Sequence, residues 1–259
     1  MHPHRTGNIT RHTTTDQCLI LDLDETLLHT MGEDAEDFAN TILEDPKYRA
    51  HRWKYYQIVL EDIFVKRGQG TREKYWGLTR PYLADFLSFC FSHFKLVTVW
   101  SAGQRPYVHN IVDVIFRDSP YPDLVFTYDD VISTGDGYHK PIELIMEHPR
   151  VKGIMKHNNT FFLDDRYANF LTSPGNGVTI PPYKPSPTPS GLVTQDFALL
   201  QFKNWLLRPE VMESKDVRTL DKSSIFMTKL NYMFDYPVSK QPVSIKDVLI
   251  EDDMVIAGI

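Results

Sequence analysis

Cysteine is scarce in this chain. Cys18 and Cys90 are the two among 259 residues. Both stand in apolar runs and read as reduced core residues, so neither a disulfide framework nor a thiolate metal site follows from them. An excess of positive charge is also missing, the formal net charge being -6. Proteins that live on nucleic-acid phosphates usually carry a basic face, so general nucleic-acid binding is disfavoured. Long hydrophobic runs are absent as well. No apolar stretch approaches the ~20 residues that span a bilayer, and the polar opening "MHPHRTGNITRHTTTDQ" has no signal-peptide core. These absences predict a soluble, intracellular protein of the cytoplasm or nucleus, without membrane contact of its own.

What is present is material for an α/β core. Hydrophobic residues make up 42% of the chain and charged ones 24%, which is the balance of an ordinary globular protein. "CLILDL" (18–23), "KLVTVW" (95–100), "LVFTY" (124–128) and "TFFLD" (160–164) are nearly continuous apolar runs, as strands covered on both faces require. Helical stripes lie between them. Residues 81–94 place Tyr82, Leu83, Phe86, Leu87, Cys90 and Phe91 on one face, with Pro81 in the first turn. Residues 105–116 repeat the stripe with Tyr107, Val108, Ile111, Val112 and Ile115, and 141–148 form a shorter helix. Strand–helix alternation predicts an α/β fold with a doubly wound parallel sheet. Ligands bind beyond the carboxyl ends of such strands.

Two segments interrupt the rhythm. Residues 31–79 begin acidic, turn basic, and then read as strands around a Gly68–Gly70 turn; they predict a small β-insertion whose charge blocks are solvated faces. Residues 172–194 contain five prolines within 181–189 and predict a stiff surface loop with little helix or sheet. Residues 1–16 read as a flexible arm and 17–259 as a single domain. Its parts include an apolar helix over 194–207, partly helical chain over 214–234, and an extension from 221 to 259 that ends in "IKDVLIEDDMVIAGI".

The chemistry stands at the strand ends. The first strand runs into Asp22 and Asp24, with Thr26 beyond. The second ends in Ser101, followed by Ala102 and Gly103. Lys140 precedes a helix, and the fourth strand ends in Asp164 and Asp165. Four carboxylates so placed need cations, and a hard divalent ion such as Mg²⁺, helped by Lys140, meets that need. A phosphate would complete the ion's oxygen shell. Ser101 and the backbone N–H groups of Ala102 and Gly103 can donate to its other oxygens. Asp22, beside Lys140, is the candidate nucleophile for an aspartyl-phosphate. Asp24 is the candidate proton carrier, with its pKa raised by crowded acidic neighbours. Thr26 holds the turn by its side chain. Glu25 reads as a bystander facing away, and His29, His139 and Arg166 as supporting residues.

The order D-x-D-x-T, Ser, Lys, D-D resembles the haloacid dehalogenase superfamily of phosphotransferases. "DLDETLLH", "LTRPYLADFLSFCFSHFKLVTVWSAG" (78–103) and "FFLDDR" resemble its branch of RNA polymerase II C-terminal-domain phosphatases, the Fcp/Scp or NLI-interacting-factor-like type. The resemblance covers roughly residues 17–171, and more weakly 195–206. It implies removal of phosphate from phosphoserine in extended, proline-containing peptides, with Mg²⁺ and an open cleft carrying a small β-insert. It also implies a metal held by Asp22, the backbone carbonyl of Asp24, and Asp165, with Asp164 behind them or joined through water. Ser101 stands where that branch usually has threonine, and Tyr128 or a neighbour where some members place a substrate-contacting arginine.

The leading reading is therefore a Mg²⁺-dependent phosphatase of phosphoserine or phosphothreonine proteins or peptides, among which the polymerase C-terminal domain is a candidate. A phosphatase of small phosphomonoesters or nucleic-acid ends shares the same chemistry. A third reading is an inactive phosphopeptide-binding module, although intact Asp22, Asp24, Lys140 and Asp165 speak against it. Nothing in the pattern sets the oligomeric state.

Overall fold

The computed structural model describes residues 12–32, 36–61, 68–134, 137–193 and 195–226. Strand β1 (Cys18–Leu21) leads into β2 (Leu28–Met31), helix α1 (Glu36–Glu44) and the antiparallel strands β3 (Tyr55–Glu61) and β4 (Arg72–Thr79). Then come α2 (Leu83–His93), β5 (Leu96–Trp100), α3 (Arg105–Ile115), β6 (Leu124–Phe126), the small pair β7 (Ile132–Thr134) and β8 (Gly137–His139), and α4 (Ile142–Met146). Strands β9 (Thr160–Asp164) and β10 (Gly177–Thr179) precede helices α5 (Pro189–Val193), α6 (Ala198–Leu206) and α7 (Pro209–Met212).

The main sheet has the order β10-β9-β1-β5-β6, and all its pairings are parallel. Strand β1 lies at its centre, with Leu21 opposite Val99 on one side and Leu163 on the other. Alternate residues of each strand feed opposite faces, as the pleat requires. Leu19, Leu21, Val97, Val99, Phe161 and Leu163 pack with Phe86, Leu87 and Cys90 of α2, Val108 and Ile111 of α3, and Phe202 and Trp205 of α6. Cys18, Ile20, Leu96, Trp100 and Phe162 pack on the other face with Ile142 and Ile145 of α4, Met155 and Phe170. Helices thus cover both faces, and the doubly wound sheet expected from the sequence is present. Both cysteines are buried.

The insertion is larger than a hairpin. Strands β2, β4 and β3 form an antiparallel sheet in that order. The acidic block folds as α1, because Phe38, Ala39 and Ile42 share one face and bury it against Tyr48, Trp76 and Leu78. The Pro-rich segment departs from its expected character. Gly177–Thr179 becomes the fifth parallel strand, Tyr183 and Leu192 are buried in the insertion's core, and Pro189–Val193 is helical. Proline restricts the chain but does not prevent its side-chain neighbours from packing.

Smaller differences occur elsewhere. Helix α2 starts at Leu83, since Tyr82 before it takes a left-handed conformation (φ 66) and turns outward against Phe197. At the amino-terminal arm's described end, Thr14 and Thr15 donate backbone bonds of 3.0 Å to Ser92 and His93. In 214–226 the helical structure is one short turn, Val217–Thr219. Residues 1–11 and the closing "IKDVLIEDDMVIAGI" lie outside the described residues. Among the described residues, no helix is long and apolar enough to cross a membrane.

Candidate active site

Strand β1 is a rigid apolar mount. Its ladder continues one residue further, where the Asp22 N–H donates to the Leu163 carbonyl at 3.0 Å. The chain then doubles back over Leu23–Leu27, with the Leu27 N–H donating to the Leu23 carbonyl at 2.8 Å. Glu25 sits in this turn with φ 62, a left-handed conformation that costs a non-glycine residue about 1 kcal/mol or more.

Four pieces of chain meet beyond the strand ends. Lys140, fully buried, places Nζ 2.5 Å from Asp22 Oδ1, 2.8 Å from Asp164 Oδ2 and 3.0 Å from the Trp100 carbonyl. Asp164 also accepts from the Arg166 N–H and from Asn169 Nδ2, each at 2.8 Å. Both of its oxygens are therefore hydrogen-bonded, Oδ2 to Lys140 among others. Thr26 Oγ1 accepts the Asp165 N–H at 3.1 Å and joins the first and fourth motifs.

Oxygens of Asp22, Asp164 and Asp165 lie within 4.8 Å of one another. Burial, and then the Asp164 charge, push the Asp22 carboxyl well above its ordinary range, with Lys140 pulling the other way. The same two causes push Asp165 up to about 6. Lys140 is raised despite its burial, because Asp22 and Asp164 favour its charge. A hard cation would relieve the crowding of these carboxylates, and their oxygen donors fit Mg²⁺.

The Asp24 carboxylate points elsewhere. Tyr107 OH donates to its Oδ1, Thr30 Oγ1 lies 3.5 Å from the same atom, and Ser101 Oγ donates to Oδ2 at 3.5 Å. Its pKa is raised, as expected, but burial is the chief cause rather than acidic crowding. Ser101 Oγ also accepts the Gly103 N–H at 3.0 Å, so that donor, expected to face a phosphate, is turned inward. Gly103 is required by packing: a Cβ there would meet Tyr107 Cδ1 at 2.7 Å. His139 supports the Asn169 turn, with Nδ1 3.1 Å from the Ala168 carbonyl.

Glu25, read from the sequence as a bystander facing away, makes two ion pairs in this turn. Its carboxylate pairs with His29 Nδ1 and Lys184 Nζ, each at 2.8 Å. Burial raises its pKa, but the bonds from Lys184 and His29 outweigh that and leave it lowered. Its carbonyl accepts the Tyr183 N–H at 2.7 Å. Arg80, fully buried, was not anticipated either. It donates to Asp196 through Nε and Nη2 (2.8 and 2.9 Å), to the Pro181 carbonyl at 2.7 Å and to the Thr26 carbonyl at 3.0 Å. The "TRP" triplet was a usable signal for Arg80. Tyr107 carried none, since an aromatic on a helical stripe reads as core.

Asp22, Asp24, Lys140 and Asp165 gather at the strand ends of a doubly wound sheet, and that sheet is the fold of haloacid dehalogenase-type phosphotransferases. The NLI interacting factor-like phosphatase family matches residues 17–218, and the chain belongs to that family. Two solved structures share the fold. One is Fcp1, an essential RNA polymerase II CTD phosphatase, with a TM-score of 0.51 and 17% identity over 80% of this chain and 58% of that one. The other is an arginine-to-alanine variant of fission yeast Fcp1 bound to beryllium fluoride. It has a TM-score of 0.51 and 18% identity, over 73% of this chain and 49% of that one. The chain thus spans about half to three fifths of these relatives' lengths. None of the curated proteins matches the sequence.

Proposed function

We propose that the protein is a Mg²⁺-dependent phosphoprotein phosphatase that hydrolyses phosphoserine and phosphothreonine through an aspartyl-phosphate on Asp22. The observation that carries this reading is the buried contact of Lys140 Nζ with Asp22 Oδ1, 2.5 Å, inside the carboxylate cluster. The Asp22 carboxylate attacks phosphorus, and the bond from phosphorus to the serine oxygen breaks. Asp24 gives its proton to that oxygen. It then takes a proton from the water that attacks the Asp22 acyl-phosphate, and inorganic phosphate leaves. Lys140 offsets the charge that gathers at Asp22, and Ser101 can donate to a phosphate oxygen. Asp22, Asp165 and the Asp24 backbone carbonyl would hold Mg²⁺, which neutralises phosphate charge when bound.

A peptide substrate is favoured by the mouth of the site. Tyr128, which donates its N–H to the Gly103 carbonyl, is 44% exposed, and Tyr167, just after Asp165, is 53% exposed. Exposed rings beside the reaction centre suit an extended chain carrying the phosphate. The RNA polymerase II C-terminal domain, named for Fcp1, is the first substrate to try.

Turnover of p-nitrophenyl phosphate should require Mg²⁺ and vanish in Asp22→Asn; equal turnover by the two proteins would remove Asp22 as nucleophile. Phosphoserine peptides should be preferred over nucleotides and end-phosphorylated oligonucleotides. A reversed preference would favour the small-phosphoester reading.

A further inference from the structure

The insertion sheet reaches the reaction centre through a chain of hydroxyls. Thr30 of β2 places Oγ1 2.6 Å from the Tyr56 hydroxyl of β3 and 2.5 Å from the Tyr107 hydroxyl of α3. Tyr107 donates to Asp24 Oδ1, and Thr30 lies 3.5 Å from that oxygen. Each hydroxyl owns one proton. The Tyr107 proton is committed to Asp24, so Thr30 donates to the Tyr107 oxygen or to Oδ1, and Tyr56 donates to Thr30. Every donor in the chain then points towards Oδ1. Space for the chain is kept by Gly77, where a Cβ would meet the Tyr56 hydroxyl at 2.5 Å and the His29 carbonyl at 2.1 Å. Asp24 Oδ2 is left on the Ser101 side, where the proposed phosphate binds.

We infer that Tyr107, backed by Thr30 and Tyr56, is a positioning residue that fixes Asp24 Oδ1 and thereby aims Oδ2 at the leaving oxygen of the substrate. This inference rests on the phosphatase reading above and deepens it. With Oδ1 held, Oδ2 is the atom that releases its proton as the phosphorus–oxygen bond breaks, and later accepts one from water. Two β-strands of the insertion and the first turn of α3 thus act on a carboxylate that none of the three contains.

The test is a leaving-group series: kcat/KM for a phosphoserine peptide, p-nitrophenyl phosphate and 2,4-dinitrophenyl phosphate, with Mg²⁺. A good leaving group departs without a proton, so aim matters only for the poor ones. Tyr107→Phe should lower kcat/KM roughly 30-fold for the peptide and under about 3-fold for the dinitrophenyl ester, within the range of acid–base contributions. Asp24→Asn should show the same trend more steeply. Thr30→Val should follow the Tyr107→Phe pattern, and the double variant should lose little more than Tyr107→Phe alone, since both act through one oxygen. Thermal unfolding checks that each variant is folded, and Thr30→Val decides the matter if Tyr107→Phe is not. A uniform loss across the series, or none, in folded Tyr107→Phe overturns the inference while a steep Asp24→Asn response leaves the phosphatase reading standing. A flat Asp24→Asn response overturns both.

Discussion

At the scale of the residue, the site depends on one ammonium among carboxylates. Lys140 touches both Asp22 and Asp164 with almost no exposure, so its removal leaves two buried charges facing each other. Breaking a buried pair from one side costs about 3–5 kcal/mol. Lys140→Met should therefore lower urea-unfolding stability by that order at neutral pH, and abolish turnover. An unchanged unfolding midpoint would show that the carboxylates are balanced by something else. Asp22, Asp24, Ser101, Lys140, Asp164 and Asp165 were legible in the sequence because each stands where an apolar strand stops or a helix starts. Glu25 and Tyr107 were not. Glu25 takes a left-handed backbone and pairs with Lys184, far along the chain. The importance of Tyr107 lies in a hydroxyl whose partner, Thr30, is 77 residues away.

At the scale of the element, the central strands read clearly because burial on both faces writes an unbroken apolar run. Strand β10 did not, because three residues, Gly-Val-Thr, carry no period and stand in a segment that proline dominates. Its glycine is a packing requirement: a Cβ at Gly177 would lie 2.1 Å from Cε2 of the buried Phe170 ring. Gly177→Ala should displace that ring and cost about 1–3 kcal/mol, as overpacking does, seen as a lower thermal midpoint. A neutral result would mean that Phe170 has room to move. Helix α1 was readable in principle, since Phe38 and Ile42 stand four apart, but the charges around them give the segment the composition of a solvated face.

At the scale of the molecule, acid stability has an identifiable contributor. His93 closes α2, its ring 4.7 Å from Phe89 and 4.8 Å from Phe94, with Nε2 buried and without a hydrogen-bond partner among the described residues. Burial pulls its pKa from 6.5 down to about 4. The unfolded chain therefore takes up a proton that the folded one refuses, and stability present above pH 6.5 is lost as pH falls towards 4. His93→Gln should show a smaller drop in thermal midpoint between pH 7.5 and pH 5 than the parent protein; an identical drop would place the acid sensitivity elsewhere.

The Arg80 guanidinium has a consequence for the order in which the protein comes alive. It grips the turn at Thr26, but its own anchors are Pro181 and Asp196, the latter 116 residues downstream. On the ribosome, chains emerge from the amino end. Asp22 is made early, and the parts that clamp the turn after it are made late. A nascent chain can complete this clamp only after Asp196 has left the exit tunnel.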